Sequence, residues 1–170
     1  MLEESQGQHH GKLLVTNCCN NGTVTSLGWS YAGGILGDPY AGADIYNSYN
    51  TGNIEVLDSG SSYRQANGMG YVKDTGIIKN CYNIGKLTGG VGLNYVIGTR
   101  TTGNDENCYY LEGLQNVKID TNATAFTKET SSQVVESLNK YIEDNLANET
   151  TNTSTWKKWK VGEDGYPTFE

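Results

Sequence analysis

An asparagine motif recurs along this chain at a nearly constant interval. It reads NSYNTGNI at Asn47–Ile54 and NCYNIGKL at Asn80–Leu87, with looser copies NCCNNGTV at Asn17–Val24 and NCYY at Asn107–Tyr110. The leading residues Asn17, Asn47, Asn80 and Asn107 are separated by 30, 33 and 27 residues. Gly-rich apolar stretches recur out of phase with them: AGGILG from Ala32, ANGMGYV from Ala66 and TGGVGLNYVIG from Thr88. A unit of about 30 residues with two or three short strands is too small to bury its own apolar face, and stacking the units solves that problem.

Strands stacked in parallel register lie about 4.8 Å apart. Equivalent residues then form ladders, with Asn17, Asn47, Asn80 and Asn107 at one corner and Tyr49, Tyr82 and Tyr109 beside it. An amide at a corner satisfies backbone groups that no strand partner reaches. Gly22, Gly52 and Gly85 fit a turn needing positive φ. The expected fold is all-β: a parallel β-helix or β-solenoid of three to four coils, right-handed by the usual crossover preference, capped by a C-terminal helix and a Trp-rich tail. Composition agrees, because Gly, Asn and Thr are poor helix formers, while 12 Tyr and 3 Trp offer material to bury.

The faces are open to two readings. Strict alternation puts Ile78, Asn80 and Tyr82 on one side and Lys79 and Cys81 on the other. A left-handed kink at the asparagine switches the phase and sends Cys81 inward. The kinked version is favoured, since Cys prefers burial and Tyr can lie on the outer wall with its hydroxyl wet.

The chain divides into residues 1–12, a flexible N-terminal segment or appended sequence; residues 13–113, the repeats; and residues 114–170, a C-terminal cap. The cap holds a helix at about 131–147, where Val134, Val135, Leu138, Tyr141, Ile142 and Leu146 recur at helical spacing, with Thr130 and Gln133 as a candidate capping box. Strands at about 156–169 carry Trp156, Trp159, Val161, Tyr166 and Phe169 and are expected to pack beneath that helix and close the last coil's open edge.

The net charge of −7 argues against nucleic acid and against an anionic membrane surface. No stretch approaches 18 apolar residues, so no transmembrane helix is expected. Hydrolytic machinery is not legible either: the His residues are His9 and His10, and neither HExxH nor GxSxG occurs. Acid pairs such as Asp38 with Asp44, or Asp105 with Glu106, could act on glycosides but read better as solvated loop acids. Cofactors are not expected. Asn104, Asp105 and Glu106 cluster hard oxygens and are weak calcium candidates without an EF-hand pattern. Cys18, Cys81 and Cys108 share one motif position, and Cys19 takes the Tyr slot. Laddered Cys lie farther apart than the ~3.8 Å between Cβ atoms that a disulfide prefers, so free, buried thiols are expected. Trp29, Tyr31, Tyr49, Tyr82 and Tyr109 are candidate binding aromatics, able to stack sugars or anchor a protein; covering the chain's own strands is the plainer use.

At GGILG…IYNSYNTGNI (Gly33–Ile54) and NGMGYV…IIKNCYNIGKL (Asn67–Leu87) the chain resembles the GLUG-motif repeats of bacterial surface proteins. The first copy departs from that pattern at Cys19, and the fourth loses Asn-x-Gly after Tyr109. The tail WKKWKVGEDGYPTFE (Trp156–Glu170) is similar to the ending that follows such arrays. The resemblance implies a secreted or cell-surface location and a non-catalytic binding or spacer module of a large exported protein, such as an adhesin or an IgA-specific metallopeptidase. Its implied partners are neighbouring domains, a host glycoprotein or a glycan. A glycan-active β-helix enzyme using loop carboxylates is the alternative.

Overall fold

The computed structural model describes residues 12–27, 31–38, 42–57, 65–72, 76–89, 94–98, 104–120, 122–148 and 151–170. Trp29 lies outside them. Over these described residues the chain is mostly β, with parallel sheets and one α-helix towards the C-terminus.

Successive segments, here called rungs, each add strands to the same sheets. Rung one holds β1 (Leu13–Thr16), β2 (Cys19–Asn20), β3 (Val24–Ser26) and β4 (Tyr31–Gly33). Rung two repeats them as β5 (Ala43–Tyr46), β6 (Tyr49–Asn50), β7 (Ile54–Val56) and β8 (Gln65–Asn67). Rung three holds β9 (Ile77–Lys79), β10 (Tyr82–Asn83) and β11 (Leu87–Gly89), and rung four β12 (Asp105–Glu106) and β13 (Cys108–Leu111). The sheets run β1-β5-β9-β12, β2-β6-β10-β13, β3-β7-β11 and β4-β8, all parallel. The motif is in register throughout, with Cys19 opposite Tyr49, Tyr49 opposite Tyr82 and Tyr82 opposite Tyr109. A further strand, β14 (Ala123–Phe126), extends the tyrosine sheet beyond β13, so parallel pairing continues past Gly113.

The kink sits at the leading asparagines, whose φ angles are 57, 44, 56 and 50° at Asn17, Asn47, Asn80 and Asn107. Asn tolerates this left-handed region better than other residues with a Cβ. One such residue between two short strands reverses the alternation, so Ile45 and Ser48, like Ile78 and Cys81, are all buried. The interior core joins Ile45, Met69, Val72, Ile78, Val96 and Ile97 with Cys81 and Cys108.

Here the structure corrects the role read for Gly22, Gly52 and Gly85. None has a φ in the left-handed region. Steric crowding explains two of them: a Cβ on Gly52 would meet the Gly22 carbonyl oxygen at 1.9 Å, and one on Gly85 would meet the Gly52 carbonyl at 1.9 Å. The rungs stack too closely there for any side chain.

The helix α1 (Ser131–Asp144) buries Val134, Leu138 and Ile142. Its approach is fixed one turn earlier than Thr130 and Gln133 suggest, by the Thr127 N–H donated to the Thr130 hydroxyl at 3.0 Å. The antiparallel pair β15 (Trp159–Val161) and β16 (Pro167–Phe169) follows. This C-terminal segment does not simply close the end of the stack, as the sequence suggests; it runs along the side of it. Val134, Leu138, Ile142, Trp156 and Trp159 form one buried cluster with Tyr46, Tyr49, Tyr82 and Phe126. Covering the tyrosine row removes its apolar rings from water, which favours this placement.

Candidate functional site

The motif builds two hydrogen-bonded amide ladders. In the corner ladder, each Nδ2 donates to the previous rung's Oδ1: Asn47 to Asn17 at 2.7 Å, Asn80 to Asn47 at 2.8 Å and Asn107 to Asn80 at 2.6 Å. Both ends are closed by the chain itself. Asn17 Nδ2 donates to the Thr155 carbonyl at 3.0 Å, and Asn107 Oδ1 accepts the Tyr109 hydroxyl at 2.7 Å. The second ladder, formed by Asn20, Asn50 and Asn83, runs the other way. Asn20 Nδ2 donates to Asn50 Oδ1 at 2.8 Å, and Asn50 Nδ2 to Asn83 Oδ1 at 2.7 Å. Sequence reasoning centred on the first asparagine of the motif and missed the role of the second. The signal was present, since that Asn also recurs two residues before each glycine.

Trp159 is the other residue whose role was not foreseen. Its indole N–H donates to Asn47 Oδ1 at 2.7 Å, while Asn139 of α1 brackets its backbone with two bonds of 2.9 Å. Asn47 thereby joins two rungs, the indole and the Lys157 carbonyl at one buried point.

The tyrosines are not the wet outer wall that the sequence suggests. Tyr82 is 0% exposed and Tyr49 6%. Their rings stack at 5.2 Å between centroids, and both pack against Trp159. The Tyr82 hydroxyl donates to the Pro167 carbonyl, and the Tyr49 hydroxyl bonds the Thr168 hydroxyl at 3.1 Å. Tyr109 is half-buried and borders a groove of about 350 Å³ under α1, with Thr124, Phe126, Gln133 and Ser137. Tyr31 is half-buried and stacks on Tyr71 at 3.9 Å. The candidate aromatics thus do not converge on one open wall.

Burial pushes the Tyr46 phenol up to about 12, with the charge of Asp44 adding to the effect, and burial also raises Tyr82. A phenol is neutral when protonated, so the fold holds these protons more tightly than the unfolded chain does. Their stabilisation is intact below the usual tyrosine value of 10 and is lost as pH rises towards 12. An alkaline titration followed by phenolate absorbance is expected to show Tyr46 and Tyr82 ionising late and together with loss of the fold.

The acids are engaged structurally. Asp44 accepts the Ile77 N–H at 2.9 Å and pairs with Lys12; Asp105 accepts the Asn122 N–H at 2.9 Å; Glu106 pairs with Lys79 at 2.8 Å. Asp120 receives the N–H groups of Ile97 and Gly98 at 2.9 and 3.0 Å, standing in for a strand. The calcium candidates Asp105 and Glu106 therefore have protein partners. Among the described residues no group of three or more His, Cys, Asp or Glu could hold a metal.

The four thiols are free, but not all are buried: Cys81 and Cys108 are interior, while Cys18 and Cys19 are exposed because they belong to the first rung. Burial pushes the Cys81 and Cys108 thiols well up, which suppresses the reactive thiolate. A disulfide-exchange reagent is expected to modify Cys18 and Cys19 in the native protein, and Cys81 and Cys108 only after denaturation.

No helix among the described residues is long and apolar enough to cross a membrane. No family model and no curated protein sequence matches the chain. A crystal structure named "putative immunoglobulin A1 protease" from Bacteroides ovatus is similar at 18% identity, with a TM-score of 0.47, over 92% of this chain and 57% of that one. The present chain thus spans little more than half of that protein, to which the protease description belongs.

Proposed function

We propose that the stacked rungs form a β-solenoid of the GLUG-motif kind, and that the chain is a non-catalytic accessory module of an exported bacterial protein. Its role is that of a stiff spacer holding neighbouring domains in fixed relation. The observation that carries this reading is the C-terminal segment lying across the tyrosine row and bonded to Asn17 and Asn47. It turns the natural aromatic platform into a second core. The commitment of Asp44, Asp105, Glu106 and Asp120 to structural partners adds support.

The test is a panel of polysaccharides and mucosal glycoproteins, assayed for cleavage and for saturable binding. Neither is expected. Cleavage of a glycan would overturn the non-catalytic reading in favour of a glycan-active enzyme, and saturable binding would replace the spacer with an adhesive module.

A further inference from the structure

The first rung carries a glycine that nothing in the described structure requires. Gly52 and Gly85 are demanded by the carbonyl of the rung before them, 1.9 Å from a would-be Cβ. Gly22 holds the same motif position, yet a Cβ there would meet only its neighbour Asn20, at 3.7 Å, and its φ lies outside the left-handed region. The amide ladder repeats the pattern. Asn50 Oδ1 and Asn83 Oδ1 each accept an Nδ2–H from the preceding rung. Asn20 Oδ1 accepts the Gly22 N–H, and no described amide from an earlier rung reaches it.

Burial follows the same rule. Val15, Asn20 and Val24 are half-exposed, whereas their register partners Ile45, Asn50 and Ile54 are each 0% exposed. Leu14 and Leu27, on the same rung, are 63% and 77% exposed. Among the described residues, strands β1, β2 and β3 are all edge strands of their sheets, and an edge strand is a template for pairing.

We infer that the first-rung edge is a docking site for an extended segment of the repeat's own chemistry, added as a parallel rung. Its Asn Nδ2 donates to Asn20 Oδ1, and its Gly carbonyl lies against the bare Cα of Gly22. A second copy of this chain fits poorly. The last strand of its tyrosine sheet, β14, reads Ala-Thr-Ala-Phe and is followed by Thr127 and Lys128 rather than Asn-x-Gly. The inference rests on rung stacking alone and is independent of the spacer role.

The experiment is an NMR titration of the isotope-labelled intact chain with a synthetic peptide of residues 43–56, which carries one full motif. Saturable shifts are expected at the Val15, Asn20, Gly22 and Val24 amides. In Gly22→Ala, affinity should fall at least tenfold with the melting temperature unchanged, because the added methyl meets open space until the peptide carbonyl arrives. A peptide with Asn50→Ala should also bind at least tenfold more weakly to the unaltered chain, which keeps the test decisive should Gly22→Ala disturb folding. Absence of binding, or equal binding by variant and parent, would overturn the proposal. So would the same shifts appearing on concentration without peptide, since that would assign the edge to a second copy.

Discussion

Replacing Asn47 with Ala is expected to lower the unfolding free energy by at least about 4 kcal/mol, a large share of the roughly 5–15 kcal/mol available to a domain. The residue is 0% exposed. Its Nδ2 donates to Asn17 Oδ1 at 2.7 Å and to the Lys157 carbonyl at 3.0 Å; its Oδ1 accepts Asn80 Nδ2 at 2.8 Å and the Trp159 indole N–H at 2.7 Å. Each buried group left without a partner costs about 1–3 kcal/mol. Alanine also carries about 1–2 kcal/mol of strain in the left-handed region, where Asn47 sits at φ 44°. Asn47→Gly separates the two effects: it relieves the strain, leaves the orphaned groups, and should recover only about 1 kcal/mol. Urea unfolding followed by tryptophan fluorescence measures both variants. Equal stability of Asn47→Ala and the parent would show that the ladder does not hold the corner.

Gly85→Ala is expected to cost about 3 kcal/mol, at the upper end for overpacking, or roughly 6–12 °C in melting temperature for a chain of this size. The added methyl meets the Gly52 carbonyl oxygen at 1.9 Å and Asn50 Nδ2 at 2.6 Å. Neither can step aside. One is backbone, and the other is fixed by its bonds to Gly52 O and Asn83 Oδ1 at 2.8 and 2.7 Å. Gly22→Ala is the internal control, with an expected change within about 0.5 kcal/mol. Calorimetry compares the two directly, and equal melting temperatures would refute the close-stacking explanation of the motif glycine.

The all-β class and parallel pairing were legible because the motif recurs with its apolar flanks in place. Val15, Ile45 and Ile78 before the asparagine, and Val24, Ile54 and Leu87 after the glycine, mark strands whose neighbours are their own repeats. The fate of the tyrosines was not legible. Tyr49 and Tyr82 read as outward residues once the asparagine kink is accepted, and what buries them, Trp159 and Phe169, lies some 80 to 120 residues further on in the sequence. Local patterning carries no information about a contact of that range. The glycine was misread for a related reason: a turn glycine and a glycine crowded by a neighbouring rung look alike in one dimension. Asp120 offered no signal, since a lone acid before a short strand is common, and only the fold shows it receiving two N–H groups.

The bonds from Asn17 to Thr155 and Lys157 span 138 and 140 residues. During synthesis the Asn17 corner therefore emerges long before the residues that complete it. While Trp159 and its neighbours remain in the ribosome, the tyrosine row is uncovered and Asn47 Oδ1 lacks its indole donor. Contacts of such long range slow folding, and an exposed aromatic row invites sticking. The window of vulnerability thus opens when Tyr49 emerges and closes only when Trp159 is released.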